Sequence, residues 1–156
     1  MSEATNTAAD TGLVIQLPVD KLGKNAVEQK QSLEKLQQLL DARAGLFIKA
    51  TNADQLDLTI EDGNIGFAWW NRLPPFDDIP LLSELCAVLV GYAAKVQRMA
   101  SKPREPVVNE KYVMRSLLYR LGLGGNEHKE VRKLLLGRLD GNSAWKTPPD
   151  TSGAEL

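Results

Sequence analysis

The segment from Leu81 to Val96 limits the possible folds of this chain more than any other. Apolar residues occupy most of the circumference of a helix over this range, and Glu84 is the only charge in its first half. A helix that is apolar on all sides has to be buried on several of them. We therefore predict a central core helix, capped by Asp77 or Asp78, with a sheet on one side and further helices on the other.

Upstream, alternating apolar and polar residues predict a small antiparallel sheet. The run Leu13 to Val19 closes at Pro18, which favours an edge strand because proline cannot donate a hydrogen bond to a neighbouring strand. Residues 56–60 and 65–70 alternate in the same way on either side of an Asp-Gly turn, which predicts a β-hairpin.

The adjacent tryptophans Trp69 and Trp70 end the second strand of this hairpin. In an alternating strand one ring faces the core and the other faces outward, where it would mark a contact surface. Core packing is the favoured role for the pair.

A helix is predicted between the two parts of the sheet. Asn25 and Glu28 match the capping-box pattern, in which side chains satisfy the free amides at a helix start. The helix should run to about Ala44, and Gly45 should end or kink it. Residues 46–48 continue the apolar surface as one more helical turn.

The C-terminal third is predicted to form a pair of amphipathic helices. The first runs from Glu110 to Leu121 with Asn109 as its cap, and the second runs from Glu127 to Leu139. The glycines between them fit a tight turn better than a phosphate loop, because no strand precedes them and no Gly-Lys-Ser or Gly-Lys-Thr follows. The predicted fold class is α+β, with a small antiparallel sheet of about three strands packed on a buried central helix, followed by a C-terminal helix pair.

With 156 residues, 43% of them hydrophobic and 25% charged, the chain has the size and composition of one globular domain. We predict a disordered leader over residues 1–12, a single α+β domain over 13–146 and a disordered tail over 147–156. The polar N-terminus does not resemble a secretory signal, and the longest apolar stretch is shorter than the roughly 20 residues that a bilayer crossing needs. We therefore expect a soluble, cytoplasmic protein without a membrane partner.

The inventory of reactive side chains argues against several enzyme classes. His128 is the only histidine and Cys86 the only cysteine, whereas catalytic triads and histidine-based zinc sites need more of these residues. We expect Cys86 to be a packed core thiol and His128 a partly buried helix residue. No catalytic residue, metal, cofactor or small-molecule substrate is predicted. A small enzyme that works through carboxylates and arginines stays open as an alternative.

Positive charge collects in the C-terminal third. Residues 102–146 hold ten lysines and arginines against five aspartates and glutamates, although the whole chain has a net charge of −1. Such a surplus attracts a polyanion or an acidic protein surface, or it neutralises the acidic first part of the fold. Both interpretations stay open at this stage.

The outward side of the helix pair combines this charge with aromatic rings. Arginine and tyrosine offer charge and flat contact area, which suits phosphate binding with base stacking, or an acidic protein groove. The alternative is a solvated helix face whose tyrosines have no binding role. Arg132 falls near the apolar side, where we expect its aliphatic stem to pack while its guanidinium pairs with a carboxylate. The pair also permits a helix-turn-helix DNA-binding regulator, although Glu127 and Glu130 lie where phosphate contacts would be needed. The predicted binding residues are Lys111, Tyr112, Arg115, Tyr119, Lys129 and Lys133.

Several C-terminal motifs together indicate a known family. They are Asn109-Glu110-Lys111-Tyr112, Arg120-Leu121-Gly122, Arg132-Lys133 and Gly141-Asn142-Ser143-Ala144-Trp145. These motifs resemble the C-terminal signature of small bacterial proteins labelled virulence-related, which are common on mobile elements of gut Firmicutes. The likeness extends upstream over most of the chain beyond the leader. Three positions depart from the pattern, which has an apolar residue at Gly124, an aromatic one at His128 and phenylalanine at Trp145.

The family label names no established activity, so the resemblance implies only an accessory protein of a bacterium or phage. That setting favours a binder of protein or nucleic acid, including an inhibitor of a host defence system, over a metabolic enzyme. We therefore predict a non-enzymatic interaction protein that binds a macromolecular partner through the basic, aromatic face. The segment Gly141 to Trp145 is predicted to lock the chain by tucking Trp145 against the domain.

Overall fold

A computed structural model describes residues 12–96 and 109–141 of the chain. Over these residues it contains five α-helices and one three-stranded antiparallel sheet, which confirms the α+β prediction. The predicted leader, apart from its last residue, the predicted tail and the predicted lock at Trp145 lie outside the described residues.

The helices and strands follow one another in the order expected from the sequence. Short 3₁₀ turns precede α1, α3 and α5, at residues 19–21, 76–78 and 126–128. The elements are β1 (Leu13–Pro18), α1 (Ala26–Ala42), α2 (Ala44–Thr51), β2 (Leu58–Glu61), β3 (Asn64–Trp70), α3 (Ile79–Lys95), α4 (Glu110–Leu121) and α5 (Lys129–Gly137).

The sheet has the strand order β1-β3-β2, and both pairings are antiparallel. β1 is therefore an edge strand, as its closing proline predicts. The hairpin prediction for β2 and β3 is confirmed, with Glu61 paired to Asn64. Asp62 (φ 52°) and Gly63 (φ 78°) form the turn, and positive φ at both central residues gives the twist that two antiparallel strands need.

The prediction that one tryptophan faces outward is wrong, because β3 is buried on both sides at its end. Trp69 is fully buried and Trp70 is only 4% exposed. The chain that follows α2 covers Trp70, whose Nε1–H donates to the Thr51 carbonyl at 3.0 Å. The Asp54 amide also donates to the Trp69 carbonyl at 2.7 Å. Core packing, the favoured role of the pair, is thus observed for both rings.

The break between α1 and α2 falls earlier than predicted. The Asn25 side chain accepts a hydrogen bond from the Glu28 amide at 2.9 Å, which confirms this cap, while the Glu28 carboxylate accepts from the Lys24 amide. The helix ends at Arg43, where φ is −135°. Gly45, which was expected to end the helix, lies in the first turn of α2 instead. The early bend lets a second helix bury its apolar side in the core.

The helix α3 lies at the centre of the fold, as predicted. It packs against β1, α1, α4 and α5. Cys86 is fully buried, and desolvation raises the pKa of its thiol well above the usual value, which confirms the core assignment. Asp78 occupies the cap position, but its side chain makes no capping hydrogen bond, so that detail of the prediction is wrong. None of the described helices combines the length and apolarity needed to cross a bilayer.

Candidate functional site

The helix α4 has the predicted boundaries and the predicted cap. The Asn109 side chain accepts a hydrogen bond from the Tyr112 amide at 3.2 Å. The helix ends because Gly122 takes φ +100° and the Leu123 amide donates back to the Leu118 carbonyl at 2.8 Å. This closure reverses the chain and brings α5 alongside the outer part of α4.

The second helix of the pair is shorter than predicted. Residues 126–128 form a 3₁₀ turn, in which the His128 amide donates to the Gly125 carbonyl at 3.0 Å, and α5 proper begins at Lys129. The apolar pattern of this helix places Val131, Leu134, Leu135 and Leu139 inward: Val131 and Leu135 are buried, Leu139 is buried just beyond the helix end, and Leu134 is half-buried. The inward leucine and valine side chains therefore orient α5 as the sequence pattern predicts.

Tyr119 is the centre of the candidate site, and we call Arg115, Tyr119 and Arg132 the Tyr119 cluster. The Arg115 guanidinium lies 4.5 Å from the centre of the tyrosine ring, and its Nη2 donates to the Tyr119 hydroxyl at 3.1 Å. The Arg132 guanidinium lies 5.5 Å from the same ring centre. Tyr119 is nevertheless 44% exposed, so the cluster presents two cations and an aromatic ring at the surface.

Two features fix the cluster in place. Arg132 Nη1 donates to the carbonyl oxygens of Leu123 and Gly125 at 2.8 and 2.7 Å. The expected carboxylate partner of Arg132 is therefore replaced by backbone oxygens of the turn. The ring of Tyr119 also packs on Gly124, where an added Cβ would lie 2.5 Å from the ring carbon Cδ2. Glycine at this position leaves the space that the ring occupies.

The six predicted binding residues do not form one uniform patch. Arg115 and Tyr119 touch each other, and Lys129 and Lys133 are exposed one helical turn apart on α5. Within residues 12–96 and 109–141, neither of these lysines forms an ion pair. Lys111 and Tyr112 are half-buried in the first turn of α4, about 10 Å along the helix axis from Tyr119.

An ion-pair cluster around Lys49 joins the start of α4 to the residues that follow α5. Lys49 of α2 lies 2.8 Å from the Glu110 carboxylate and 3.0 Å from the Asp140 carboxylate. The Asp140 amide donates to Glu110, and the Lys111 amide donates to the Asp140 carbonyl at 2.9 Å. Lys49 thus neutralises acidic residues at the two ends of the helix pair, and no local sequence pattern indicates this contact.

Replacing Lys49 with methionine should lower the melting temperature near neutral pH by an amount that shrinks in acid. The hydrogen bond between Lys49 and Glu110 holds the pKa of the Glu110 carboxyl below its usual value of 4.5. The same bond raises the pKa of the Lys49 amine above its usual value of 10.5. The stabilisation by Glu110 is present above pH 4.5 and is lost as pH falls through the lowered pKa. The stabilisation by Lys49 is present below pH 10.5 and is lost as pH rises through the raised pKa.

Thermal unfolding of wild type and Lys49→Met from neutral pH to about pH 3 tests this window. Lys30→Met, which removes an exposed lysine from α1, is the matched control and should show no such pH dependence. A difference between wild type and Lys49→Met that stays constant through the acid range would contradict the assignment.

His128, the only histidine of the sequence, contacts Glu84 in the first half of α3. His128 Nδ1 pairs with the Glu84 carboxylate, and its Nε2 lies 3.8 Å from the Glu127 carboxylate. His128 is partly buried, as predicted, although its partner was not foreseen. Across the described ranges, no group of three or more histidine, cysteine, aspartate or glutamate side chains is placed to hold a metal ion.

Comparison with known proteins adds no further assignment. No family model matches the sequence, and no significant match is found among curated proteins or solved structures.

Proposed function

We propose that this chain is a non-enzymatic interaction protein that binds an acidic protein surface through its C-terminal helix pair. The observation that carries the proposal is the Tyr119 cluster, in which two guanidinium groups are held against one exposed ring. The exposed Lys129 and Lys133 extend the same charge along α5. We further propose that the partner belongs to the cytoplasm of a bacterium that carries the mobile element or phage.

The cluster has the properties of a binding hot spot. Tyrosine and arginine are enriched where alanine substitution costs an interface the most. Arg115 and Arg132 are already fixed by hydrogen bonds, so little side-chain freedom is lost when a partner binds. A guanidinium also offers a planar pair of donors that matches a carboxylate.

Three features favour a protein over a nucleic acid as the partner. The arginines lie against the ring of Tyr119, which leaves less of its surface for stacking a base. Glu127 and Glu130 are exposed at the start of α5, where they would repel a phosphate backbone, whereas a protein surface can place a basic residue opposite them. An α5 of nine residues is also short for a recognition helix in a DNA groove.

Capture experiments with charge-reversed variants test the proposal. The tagged protein is incubated with nuclease-treated bacterial lysate, and the bound protein is quantified by mass spectrometry. Arg115→Glu combined with Lys133→Glu should reduce capture of the specific partner by on the order of tenfold or more. Lys30→Glu combined with Lys95→Glu changes the net charge equally on other helices and should leave capture unchanged.

Two results would contradict this function. One is a partner that both double variants retain equally well. The other is binding that is found only in a lysate without nuclease treatment and that weakens steeply with salt, which would assign the face to nucleic acid instead.

A further inference from the structure

The strand β2 has a backbone edge that is unpaired among the described residues. It lies at one end of the strand order β1-β3-β2 and, in the described part of the chain, pairs with β3 alone. Hydrogen-bonded pairs alternate with unbonded ones along an antiparallel ladder, and the bond from the Ala68 amide to the Asp57 carbonyl at 3.2 Å sets this alternation. The unbonded positions on β2 are Leu58 and Ile60, so their N–H and C=O groups point away from β3. None of the described residues bonds to these outward groups.

The apolar side of the sheet is uncovered at this edge. Ile60 lies directly opposite Ile65 of β3, on the side of the sheet that faces the core. Ile65 is fully buried, whereas Ile60 is 50% exposed because no described strand lies on its other side. Leu58, two residues earlier, faces the same way and is half-buried against the core. A further strand would place an apolar side chain beside Ile60 and so extend the buried layer.

The opposite side of β2 is acidic, and so is the turn that follows it. Asp57, Glu61 and Asp62 are exposed, and none of them forms an ion pair with a described residue. The sequence has no lysine or arginine between Lys49 and Arg72 to offset these charges locally. Charges of one sign along an edge strand repel the same strand of a second copy, but they attract a basic strand.

We propose that β2 binds, as an additional strand, an extended segment of a partner protein in which basic side chains alternate with apolar ones. The backbone of this segment pairs with the outward groups of Leu58 and Ile60, which a helix could not do because its own backbone groups are already bonded. Its apolar side chains cover Ile60, and its lysine or arginine side chains face Asp57 and Glu61. The edge shares no residue with the Tyr119 cluster, so this proposal does not rest on the proposed function.

Amide hydrogen exchange of the free, full-length protein, followed by NMR, tests the edge itself. The amides of Thr59 and Glu61 donate to β3, so they should exchange about tenfold or more slowly than those of Leu58 and Ile60, which point outward. Equal protection of all these amides would show that the chain itself or a second copy already covers the edge, and it would overturn the proposal.

Binding is measured by titrating the labelled protein with a short synthetic peptide of alternating lysine and valine. The largest changes in amide chemical shift should lie at residues 57–61, and exchange of the Leu58 and Ile60 amides should slow on the order of tenfold. A peptide methylated at its backbone nitrogens keeps every side chain and charge but loses its donors, so it should bind on the order of tenfold more weakly. A peptide with glutamate in place of lysine should show the same loss or more.

Two charge-reversed variants locate the site on the protein. Asp57→Lys combined with Glu61→Lys should weaken binding of the lysine-valine peptide by on the order of tenfold. Glu34→Lys combined with Asp41→Lys makes the same change of charge at exposed positions of α1 and should leave binding unchanged. Absence of shift changes at residues 57–61, equal affinity for the methylated peptide, or equal binding by the two double variants would overturn the proposal.

Discussion

Replacing Trp69 with alanine is expected to lower the free energy of unfolding by about 3–5 kcal/mol. Trp69 is fully buried on the central strand of the sheet, edge-on to Phe67 with ring centres 5.3 Å apart and 5.5 Å from Trp70. Alanine would leave a cavity among side chains that are themselves fixed by packing. Denaturant unfolding followed by circular dichroism measures the loss.

The variant Trp69→Phe separates packing from hydrogen bonding at the same position. Among the described residues, the indole N–H of Trp69 has no hydrogen-bond partner, and an unsatisfied buried donor costs about 1–3 kcal/mol. Phenylalanine keeps a ring in the core and removes that donor, so its cost should be less than half that of alanine. Equal losses for the two variants would contradict this prediction, because phenylalanine would then gain nothing from removing the donor.

The second large effect is expected for Gly141→Ala. Gly141 has φ +108°, and an added Cβ would collide with the side-chain oxygen of Asn109, which caps α4 and is 1% exposed. Backbone strain of about 1–2 kcal/mol and a lost cap of similar size together give about 2–4 kcal/mol.

A second glycine provides the control for this substitution. Gly137 lies at the end of α5, and an added Cβ there meets nothing within 4 Å. Gly137→Ala should therefore be neutral, or stabilising by about 0.5 kcal/mol, in the same unfolding assay. If Gly141→Ala unfolds at the same denaturant concentration as Gly137→Ala, the close approach of Gly141 to Asn109 is not maintained in solution.

Features set by neighbouring residues could be predicted from the sequence. The turn at Asp62 and Gly63 depends on two adjacent residues that tolerate positive φ. The boundaries of α4 follow from a capping asparagine at one end and Gly122 at the other. The contact of Arg115 with Tyr119 likewise joins positions four apart on one helix, which lie on the same side.

Features that depend on distant parts of the chain could not be predicted in this way. Lys49 and Asp140 are 91 positions apart, and Glu84 and His128 are 44 apart. One of Trp69 and Trp70 was expected to face outward because the alternation of one strand contains no information about the chain that covers its other side. Arg132 reaches Tyr119 only because the chain reverses at Gly122, so the sequence identified two of the three members of the cluster.

The hydrogen bond between the Lys111 amide and the Asp140 carbonyl joins the start and the end of the helix pair at one point. A segment whose two ends are adjacent, here called a cassette, can be replaced by another segment without moving the chain on either side of it. The inner leucines of such a cassette must still fit α3, but its outer side is free to vary. We expect that a related protein could acquire a different partner by replacing this cassette alone, while the sheet and the central helix stay unchanged.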